Sequence, residues 1–239
     1  MAVLDIRTCA QVQGTSRTLE LTEWRTPASD YAERQVGHYR LHKTEYPAGQ
    51  YYPYGWIDGY LYYYTANSLP IMLLQEQREG MWKDWMSDGP CDYRRMQKYA
   101  EVAEGDVLVA GLGLGLFIHE LAKNDRVGDV TVVERSPEVI GLILDSIKGC
   151  MPEHIIRIVQ EDFWSYLLAD NRDYGMVMVD VWSTSNSEEH SALYPEVGAA
   201  YELLKKQYPK AKIVIHGFSA FSDVQVAMPY FEARQKVKV

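Results

Sequence analysis

The sequence predicts an α/β fold with a mostly parallel sheet, a small N-terminal antiparallel β region and an abbreviated C-terminus. Two observations carry most of this prediction. From residue 106 onward, apolar strand-like runs alternate with helix-like segments, as expected for parallel strands that are buried on both faces. Residues 36–75 instead hold short aromatic and β-branched runs separated by Pro, Gly and Asp, which is the pattern of antiparallel hairpins.

Each strand of the predicted parallel sheet is a short buried run. In chain order the runs are DVLVAG, DVTVVE, IIRIVQED, YGMVMVDVW and KIVIHGF. Helical segments lie between them: LGLFIHELAKN, SPEVIGLILDSIKGC, FWSYLLADN and SEEHSALYPEVGAAYELLKKQYP. Ser136 and Pro137 suit the N-cap and first turn of the second of these helices. Another helix is predicted over 91–104, where apolar residues recur every three or four positions.

The N-terminal part of the chain has a different character, and we predict two domains: a β-rich region over 1–78 and a Rossmann-like domain over 79–239. Tyrosines crowd residues 46–64, which predicts aromatic cross-strand pairs in a small sheet; an aromatic substrate platform is the alternative. Few residues follow the fifth strand, so the sheet is expected to be abbreviated. The last residues, QKVKV, could add a strand, or another chain could complete the sheet.

Composition excludes several classes of protein. The chain has 239 residues, 47% hydrophobic and 24% charged, which is ordinary for a globular protein with a substantial core. The formal net charge of −9 disfavours nucleic acid as a partner. No apolar run approaches the roughly 20 residues that span a bilayer and no signal peptide is evident, so a cytoplasmic location is expected. The cysteines lack metal-ligand spacing, and no metal site is predicted.

The segment VLVAGLGLGLFIHE, residues 107–120, holds the strongest functional signal. Gly111, Gly113 and Gly115 follow the first strand at intervals of two. Glycines let the chain turn sharply and let a ligand approach the backbone, and the following helix offers N–H groups to an anion. A dinucleotide-binding turn needs its third glycine at position 116, which is Leu116. The turn is therefore of another type, and a purely structural turn is the alternative.

Acidic side chains end the next three strands. Glu134 ends the second strand, Asp162 the third and Asp180 the fourth. Because the carboxyl ends of parallel strands share one edge of a sheet, where ligands bind in such folds, we expect these carboxylates beside the glycine turn. Glu134 could accept hydrogen bonds from both hydroxyls of a ribose. An acid after a strand is also a common helix N-cap, which is the alternative interpretation of each.

From about residue 80 to 217 the chain resembles class I S-adenosylmethionine (SAM)-dependent methyltransferases, whose first motif has the spacing G-x-G-x-G. Within that superfamily it is most similar to the spermidine-synthase-like branch, which also places a small β region before the nucleotide-binding fold. The stretches WMSDGP, GDVLVAGLGLGL and VTVVERSPEVI are also similar to methyltransferase-like proteins encoded by bacteriophages. The resemblance implies SAM as the cofactor.

The resemblance also implies which residues bind. The implied cofactor-binding set lies at the ends of the first three strands and comprises Gly111, Leu112, Gly113, Gly115, Glu134, Arg135, Asp162 and Phe163. By position, the glycines would flank the methionine part of SAM, Glu134 its ribose, and Asp162 with Phe163 its adenine. Asp180 and Trp182 are the substrate candidates, and Asp180 is also the candidate catalytic residue.

Three functions remain open on the sequence. The first is a SAM-dependent methyltransferase that acts on a small molecule or a protein, and the second is an aminopropyltransferase that uses decarboxylated SAM. The third is a non-catalytic nucleoside-binding or structural protein. Aminopropyltransferases carry an Asp-x-x-Asp-Pro-type motif after the fourth strand, whereas this chain reads DVWSTSNSEEH, which disfavours the second function. His190 and His216 are candidate bases, a membrane partner is not expected, and a homo-oligomer is left open.

Overall fold

The computed structural model describes residues 6–12, 16–53, 61–150, 155–183 and 187–224. The strands are β1 (Ile6–Val12), β2 (Ser16–Leu21), β3 (Arg34–Val36), β4 (Tyr39–Tyr46), β5 (Tyr51–Pro53), β6 (Leu61–Thr65), β7 (Leu69–Arg78), β8 (Met81–Ser87), β9 (Gly105–Ala110), β10 (Val127–Glu134), β11 (Ile156–Gln160), β12 (Met176–Val179) and β13 (Lys212–Ile215). The helices are α1 (Pro90–Glu101), α2 (Leu116–Leu121), α3 (Pro137–Lys148), α4 (Phe163–Ala169), α5 (Ser187–Ala192) and α6 (Tyr194–Gln207). Short 3-10 turns lie at Pro27–Asp30 and Ser219–Phe221.

The described chain forms two compact units, and neither is one continuous stretch of sequence. The first unit holds the described residues of 1–96, 113–119 and 137–150, and the second those of 97–112, 120–136 and 151–239. β1 to β8 and α3 therefore belong to the first unit, whereas β9 to β13 and α4 to α6 belong to the second.

The second unit is built on a parallel sheet. Within the described residues its five strands run in the order β11-β10-β9-β12-β13, and every neighbouring pair is parallel. The chain moves outward from β9 to β11 and then returns to the other side of β9 with β12 and β13, which is a Rossmann-like order. The predicted α/β class is confirmed. Since all five strands point the same way, their carboxyl ends form a single edge.

The central strands of this sheet explain the continuous apolar runs in the sequence. Val107–Ala110 of β9 and Met176–Val179 of β12 are all buried, as expected for strands covered on both faces. One face packs on buried side chains of α4 and α6, namely Phe163, Tyr166, Leu167, Val197 and Leu204. Period-two alternation is absent from these strands because neither of their faces meets water.

On the outer side of β13, Asp223 pairs with the backbone of Ile213. Ile213 N–H donates to Asp223 Oδ2 at 2.9 Å, and Asp223 N–H donates to Ile213 O at 2.7 Å. Lys205 Nζ and Tyr201 O–H also donate to the Asp223 carboxylate, at 2.9 and 2.6 Å. Asp223 thus occupies backbone groups that a further strand would use at Ile213. The predicted strand QKVKV lies outside the described residues.

The first unit contains two small sheets. One is antiparallel throughout, with the order β3-β4-β7-β8, as the sequence predicts. The other has the order β1-β2-β6-β5, in which β2 and β6 are parallel and the outer pairs antiparallel. Tyrosine rings meet in pairs in this unit. The ring centroids of Tyr46 in β4 and Tyr52 in β5 are 4.2 Å apart, so this pair joins the two sheets, whereas those of Tyr51 and Tyr64, which are cross-strand partners in β5 and β6, are 5.0 Å apart. Tyr54 and Tyr60 of the tyrosine-rich stretch lie outside the described residues.

Two predicted helices differ in extent from the observed ones. The helix expected over 114–124 is limited to α2, because Gly115, at φ +71°, still belongs to the turn. The helical material expected over 187–209 divides into α5 and α6 at Leu193. Pro195 lies in the first turn of α6, where a missing N–H has no cost, whereas the same residue inside one long helix would remove a hydrogen bond.

A buried carboxylate ties together the segments of the first unit. Asp88, in the stretch WMSDGP, has no exposed surface. Its Oδ2 accepts from Thr26 Oγ1 at 2.5 Å, and its Oδ1 accepts from Met72 N–H at 2.7 Å. Its backbone carbonyl accepts from Trp24 Nε1 at 2.9 Å. Burial raises the pKa of the Asp88 carboxyl, although the hydrogen bonds from Thr26 and Met72 act in the opposite direction.

Substitution of Asp88 tests this assignment. Because the folded pKa is raised, the carboxyl contributes stability that is complete below the unfolded pKa of about 4 and lost as the pH rises through the folded pKa. Asp88→Asn keeps an oxygen for Met72 and offers an amide to Thr26. The free energy of unfolding of Asp88→Asn, measured by urea denaturation, should therefore rise relative to that of the parent as the pH is raised from 4 to 8.

Asp88→Ala loses both hydrogen bonds and should destabilise the protein by about 2–4 kcal/mol. Asp129→Asn, at an exposed position of β10, is the control and should follow the parent at every pH. A difference between Asp88→Asn and the parent that stays constant with pH would contradict the raised pKa.

Candidate functional site

The predicted acidic residues gather at the carboxyl edge of the parallel sheet. Hydrogen bonds continue the ladder past the strand ends: Gly111 N–H donates to Val133 O at 2.9 Å, Glu161 N–H to Glu134 O at 3.2 Å, and Asp180 N–H to Ala110 O at 2.9 Å. The first residue of the glycine turn, the end of β10 and the residues that follow β11 and β12 are therefore consecutive along one edge. The chain reverses its direction across the sheet between β9 and β12, the position at which α/β sheets bind ligands.

Glu134 joins the end of β10 to the glycine turn. Its Oε2 accepts from Leu112 N–H at 2.9 Å, and its Oε1 accepts from Ser136 N–H at 2.8 Å. The residue is 9% exposed, so the two N–H groups compensate for much of the water that the carboxylate loses. Each carboxylate oxygen has two lone-pair sites, and each accepts one of these two bonds. Glu134 therefore holds the turn and keeps acceptor capacity at the sheet edge.

The backbone conformation at position 111, and the backbone that lies against it, both require glycine. Its φ is +90°, a conformation that residues with a Cβ rarely adopt. A Cβ at this position would collide with the backbone oxygen of Asp180. The turn after β9 and the end of β12 thus approach each other as closely as their backbones allow, and Asp180 itself is half-buried there.

The remaining glycines of the turn belong to the first unit. A Cβ on Gly113 would collide with Met86 Sδ, and one on Gly115 would lie 2.6 Å from Ile147 Cγ2 of α3. Leu114 N–H donates to Met86 Sδ at 3.1 Å. On its other side, Leu114 O accepts from Tyr31 O–H at 3.1 Å. Burial raises the pKa of the Tyr31 hydroxyl well above its usual range, so this donor keeps its proton.

The structure gives Asp162 and Phe163 structural contacts. Asp162 is the N-cap of α4, and its Oδ1 accepts from Ser165 N–H at 3.0 Å and from Ser165 Oγ at 3.2 Å. Phe163 is 5% exposed and lies in the core of the second unit. The next residue, Trp164, is only partly buried, and its ring centroid is 5.0 Å from that of Phe163. Trp164 is therefore the aromatic ring that reaches the surface beside Asp162, and the sequence prediction did not include it.

Trp182 belongs to a row of aromatic rings at the same edge. Its ring centroid lies 5.8 Å from that of Trp164 and 6.2 Å from that of Phe218. Its Nε1 donates to Glu196 Oε1 at 2.8 Å, which holds the indole over α6. His190 stacks on Phe218 with the centroids 4.3 Å apart, and its Nε2 lies 3.0 Å from Gly217 O.

The other predicted residues have simpler surroundings. Arg135 is exposed. His216 meets Tyr99 edge to face, with the ring centroids 6.1 Å apart. Among the described residues, no group of three or more His, Cys, Asp or Glu side chains could hold a metal ion. No helix in the described part of the chain is long and apolar enough to cross a membrane.

Two contacts that define the turn join residues far apart in the sequence, which does not predict them. Met86 lies 28 positions before Leu114, and Leu112 lies 22 positions before Glu134. Of these two pairs, only Leu112 with Glu134 contains a residue, the glutamate, whose type indicates polar chemistry. A methionine in WMSDGP gives no signal of its own, because thioethers usually fill cores.

Comparison with known proteins gives similarity at the level of structure. No protein-family model and no curated protein matches the chain. Spermidine synthase from Thermotoga maritima aligns with a TM-score of 0.43 and 15% identity, over 74% of this chain and 53% of its own. A spermidine synthase in complex with the transition-state analogue AdoDATO aligns at 0.44 and 14% identity, over 74% and 54% of the two chains.

Precorrin 8w decarboxylase from Methanobacterium thermoautotrophicum aligns at a TM-score of 0.38 and 20% identity, over 52% of this chain and 60% of its own. The chain thus spans little more than half the length of these neighbours. Their similarity is weak, and the fold assignment rests on the strand order. The resemblance to bacteriophage-encoded proteins stays a prediction.

Substitution of Gly111 tests the geometry of the turn. Gly111→Ala should destabilise the protein by about 2–4 kcal/mol, because alanine at positive φ is strained and its Cβ meets the Asp180 backbone. Gly149→Ala is the matched control, since a Cβ there has no atom within 4 Å. Urea denaturation measures both variants. Equal stabilities, within about 0.5 kcal/mol, would contradict the close approach at Gly111.

Proposed function

We propose that the chain binds SAM at the carboxyl edge of its parallel sheet and transfers the methyl group to a small-molecule or protein acceptor. The observation that carries this proposal is the position of Glu134. Its carboxylate is fixed beside the glycine turn by Leu112 and Ser136, and it retains lone pairs. A ribose presents two adjacent hydroxyl donors, and a bidentate carboxylate is the acceptor that matches them.

Residues at the next strand end support an adenine site. Asp162 Oδ1 is used by the cap of α4, while no described residue donates to its Oδ2 in the hydrogen bonds of this structure. A carboxylate oxygen suits the exocyclic amine of adenine. Trp164, which is partly buried beside it, supplies a ring on which a base can stack. In this proposal Trp164 packs on the adenine, because Phe163 is buried in the core.

In this proposal Asp180 and Trp182 contact the acceptor. Bound SAM supplies an electrophilic methyl group on a sulfonium, and the chain has to orient the acceptor in line with it. Asp180 follows the strand next to the glycine turn, where its carboxylate can orient a donor group of the acceptor and take up a proton. The Trp182 indole, held by Glu196, offers a face that attracts cationic groups.

A non-catalytic nucleoside-binding or structural role is the second candidate. One observation favours it: the chain's own groups already use Glu134, Asp162 and the surface of Gly113. Under this alternative the carboxylates cap a helix and hold the glycine turn by hydrogen bonds, and the protein should show no turnover with SAM.

Ligand-dependent stability separates these candidates. At 100 times its dissociation constant, S-adenosylhomocysteine should add about 2.7 kcal/mol to the free energy of unfolding. Glu134→Gln replaces one acceptor oxygen by a donor, so its affinity should fall at least about tenfold, or 1.4 kcal/mol. Its ligand-free stability should also fall by about 1–3 kcal/mol, because one buried N–H loses its acceptor.

Asp129→Asn, on the same strand about 16 Å from Glu134 by strand geometry, is the matched control and should bind like the parent. Tritiated SAM offered with protein and metabolite extracts should label a product in the parent and not in Asp180→Asn. Binding without any labelled product would favour the non-catalytic candidate. An absence of stabilisation by S-adenosylhomocysteine would overturn the SAM site.

A further inference from the structure

The parallel sheet of the second unit has two edge strands, β11 and β13, and their outer sides differ. At β13, both backbone groups of Ile213 bond to Asp223, and Ile215 O accepts the Phe218 N–H at 3.1 Å. At β11, within the described residues, a neighbouring strand is present on one side only. The edge that offers more outward backbone groups to a further strand is therefore β11.

Every second residue of β11 directs its backbone away from β10. Glu161 N–H donates to Glu134 O at 3.2 Å, at the end of the ladder that joins these two strands. Backbone groups alternate in direction along a strand, so the residues two and four positions earlier also bond to β10. The remaining residues of β11 direct their N–H and C=O groups outward: Ile156, Ile158 and Gln160.

The side chains of β11 are less buried than those of the central strands. Val107–Ala110 of β9 are all buried, whereas every residue of β11 is partly or fully exposed. Three of its five residues are β-branched, the type that fits a pleated sheet. The strand contains neither Pro nor Lys, the residues that commonly discourage pairing at an edge. Its composition therefore favours addition of another strand.

Charge distinguishes the ways in which two copies of β11 can pair antiparallel, because side chains directly opposite each other interact. A register with Arg157 opposite itself brings like charges together, and a register with Ile158 opposite itself sets Arg157 against an apolar valine. With Val159 opposite itself, Arg157 faces Glu161 of the partner subunit on both sides of the two-fold axis.

The two charged side chains of this register are available for such a contact. Arg157 and Glu161 are both exposed. Among the ion pairs of the described residues, none involves either side chain. Since the strand carries one charge of each sign at equal distances from Val159, its edge is complementary to a second copy of itself.

We propose that β11 is a dimerisation edge, which pairs antiparallel with β11 of a second copy of the chain and places Val159 opposite its own counterpart. Ile158 then exchanges backbone hydrogen bonds with Gln160 of the partner subunit. The contact is the same on both copies, as a two-fold axis requires, and the two parallel sheets join into one continuous sheet. This pairing is independent of the proposed binding of SAM.

Exchange of the two charges tests the pairing and leaves the backbone unchanged. In sedimentation equilibrium, Arg157→Glu should raise the dimer dissociation constant at least about tenfold, because each Arg–Glu contact becomes a repulsive one, and Glu161→Arg should do the same. The double variant restores opposite charges and should return to within about threefold of the parent. Lys206→Glu, at an exposed position of α6, makes the same change in net charge as Arg157→Glu and is the matched control.

Amide hydrogen exchange provides a second measurement with an internal control. The Ile158 and Gln160 amides of the parent dimer should exchange at least about tenfold more slowly than those of Arg157→Glu. The Val159 amide, which bonds to β10, should exchange alike in both proteins. A parent that is monomeric at every concentration would overturn the proposal, and so would single variants that behave like Lys206→Glu. Slow exchange of the Ile158 and Gln160 amides in a monomeric parent would instead assign this edge to another segment of the chain.

Discussion

One hydrogen bond organises the carboxyl edge of the sheet: the bond from Leu112 N–H to Glu134 Oε2. It joins the turn after β9 to the end of β10, so the turn has a fixed place on the sheet. The carboxylate is nearly buried, a state that costs free energy unless hydrogen bonds replace its water. The N–H groups of Leu112 and Ser136 provide that replacement. Local stability and the position of a carboxylate at the carboxyl edge of the sheet therefore depend on one side chain.

The glycines of the turn look equivalent in the sequence and differ in the structure. Gly111 allows the backbone of Asp180 to approach, Gly113 lies under Met86, and Gly115 packs against Ile147. Each is required by the chain's own atoms, so the spacing of glycines does not by itself indicate a ligand. The functional argument comes instead from the carboxylate of Glu134, because a charged group at a strand end has chemistry to offer beyond packing.

The sequence predicts the sheet well because Val107–Ala110 and similar runs are buried on both faces, a state that leaves a continuous apolar pattern. The gathering of carboxylates then follows from strand direction alone. Pairings between distant segments leave no such pattern, since periodicity identifies a strand and not its neighbour. The parallel pairing of β2 with β6 and the contact of Met86 with Leu114 therefore could not be predicted. The sequence also does not show that Phe163 is buried while Trp164 is partly exposed, because adjacent aromatics give no signal of which one lies in the core.

The most direct measurement is a crystal structure of the protein grown with S-adenosylhomocysteine. If the proposed SAM site is correct, we expect both ribose hydroxyls to lie about 2.6–3.2 Å from the Glu134 carboxylate oxygens, with the adenine beside Trp164. A ligand bound elsewhere, or a Glu134 carboxylate that contacts only the Leu112 and Ser136 N–H groups, would contradict the proposed site.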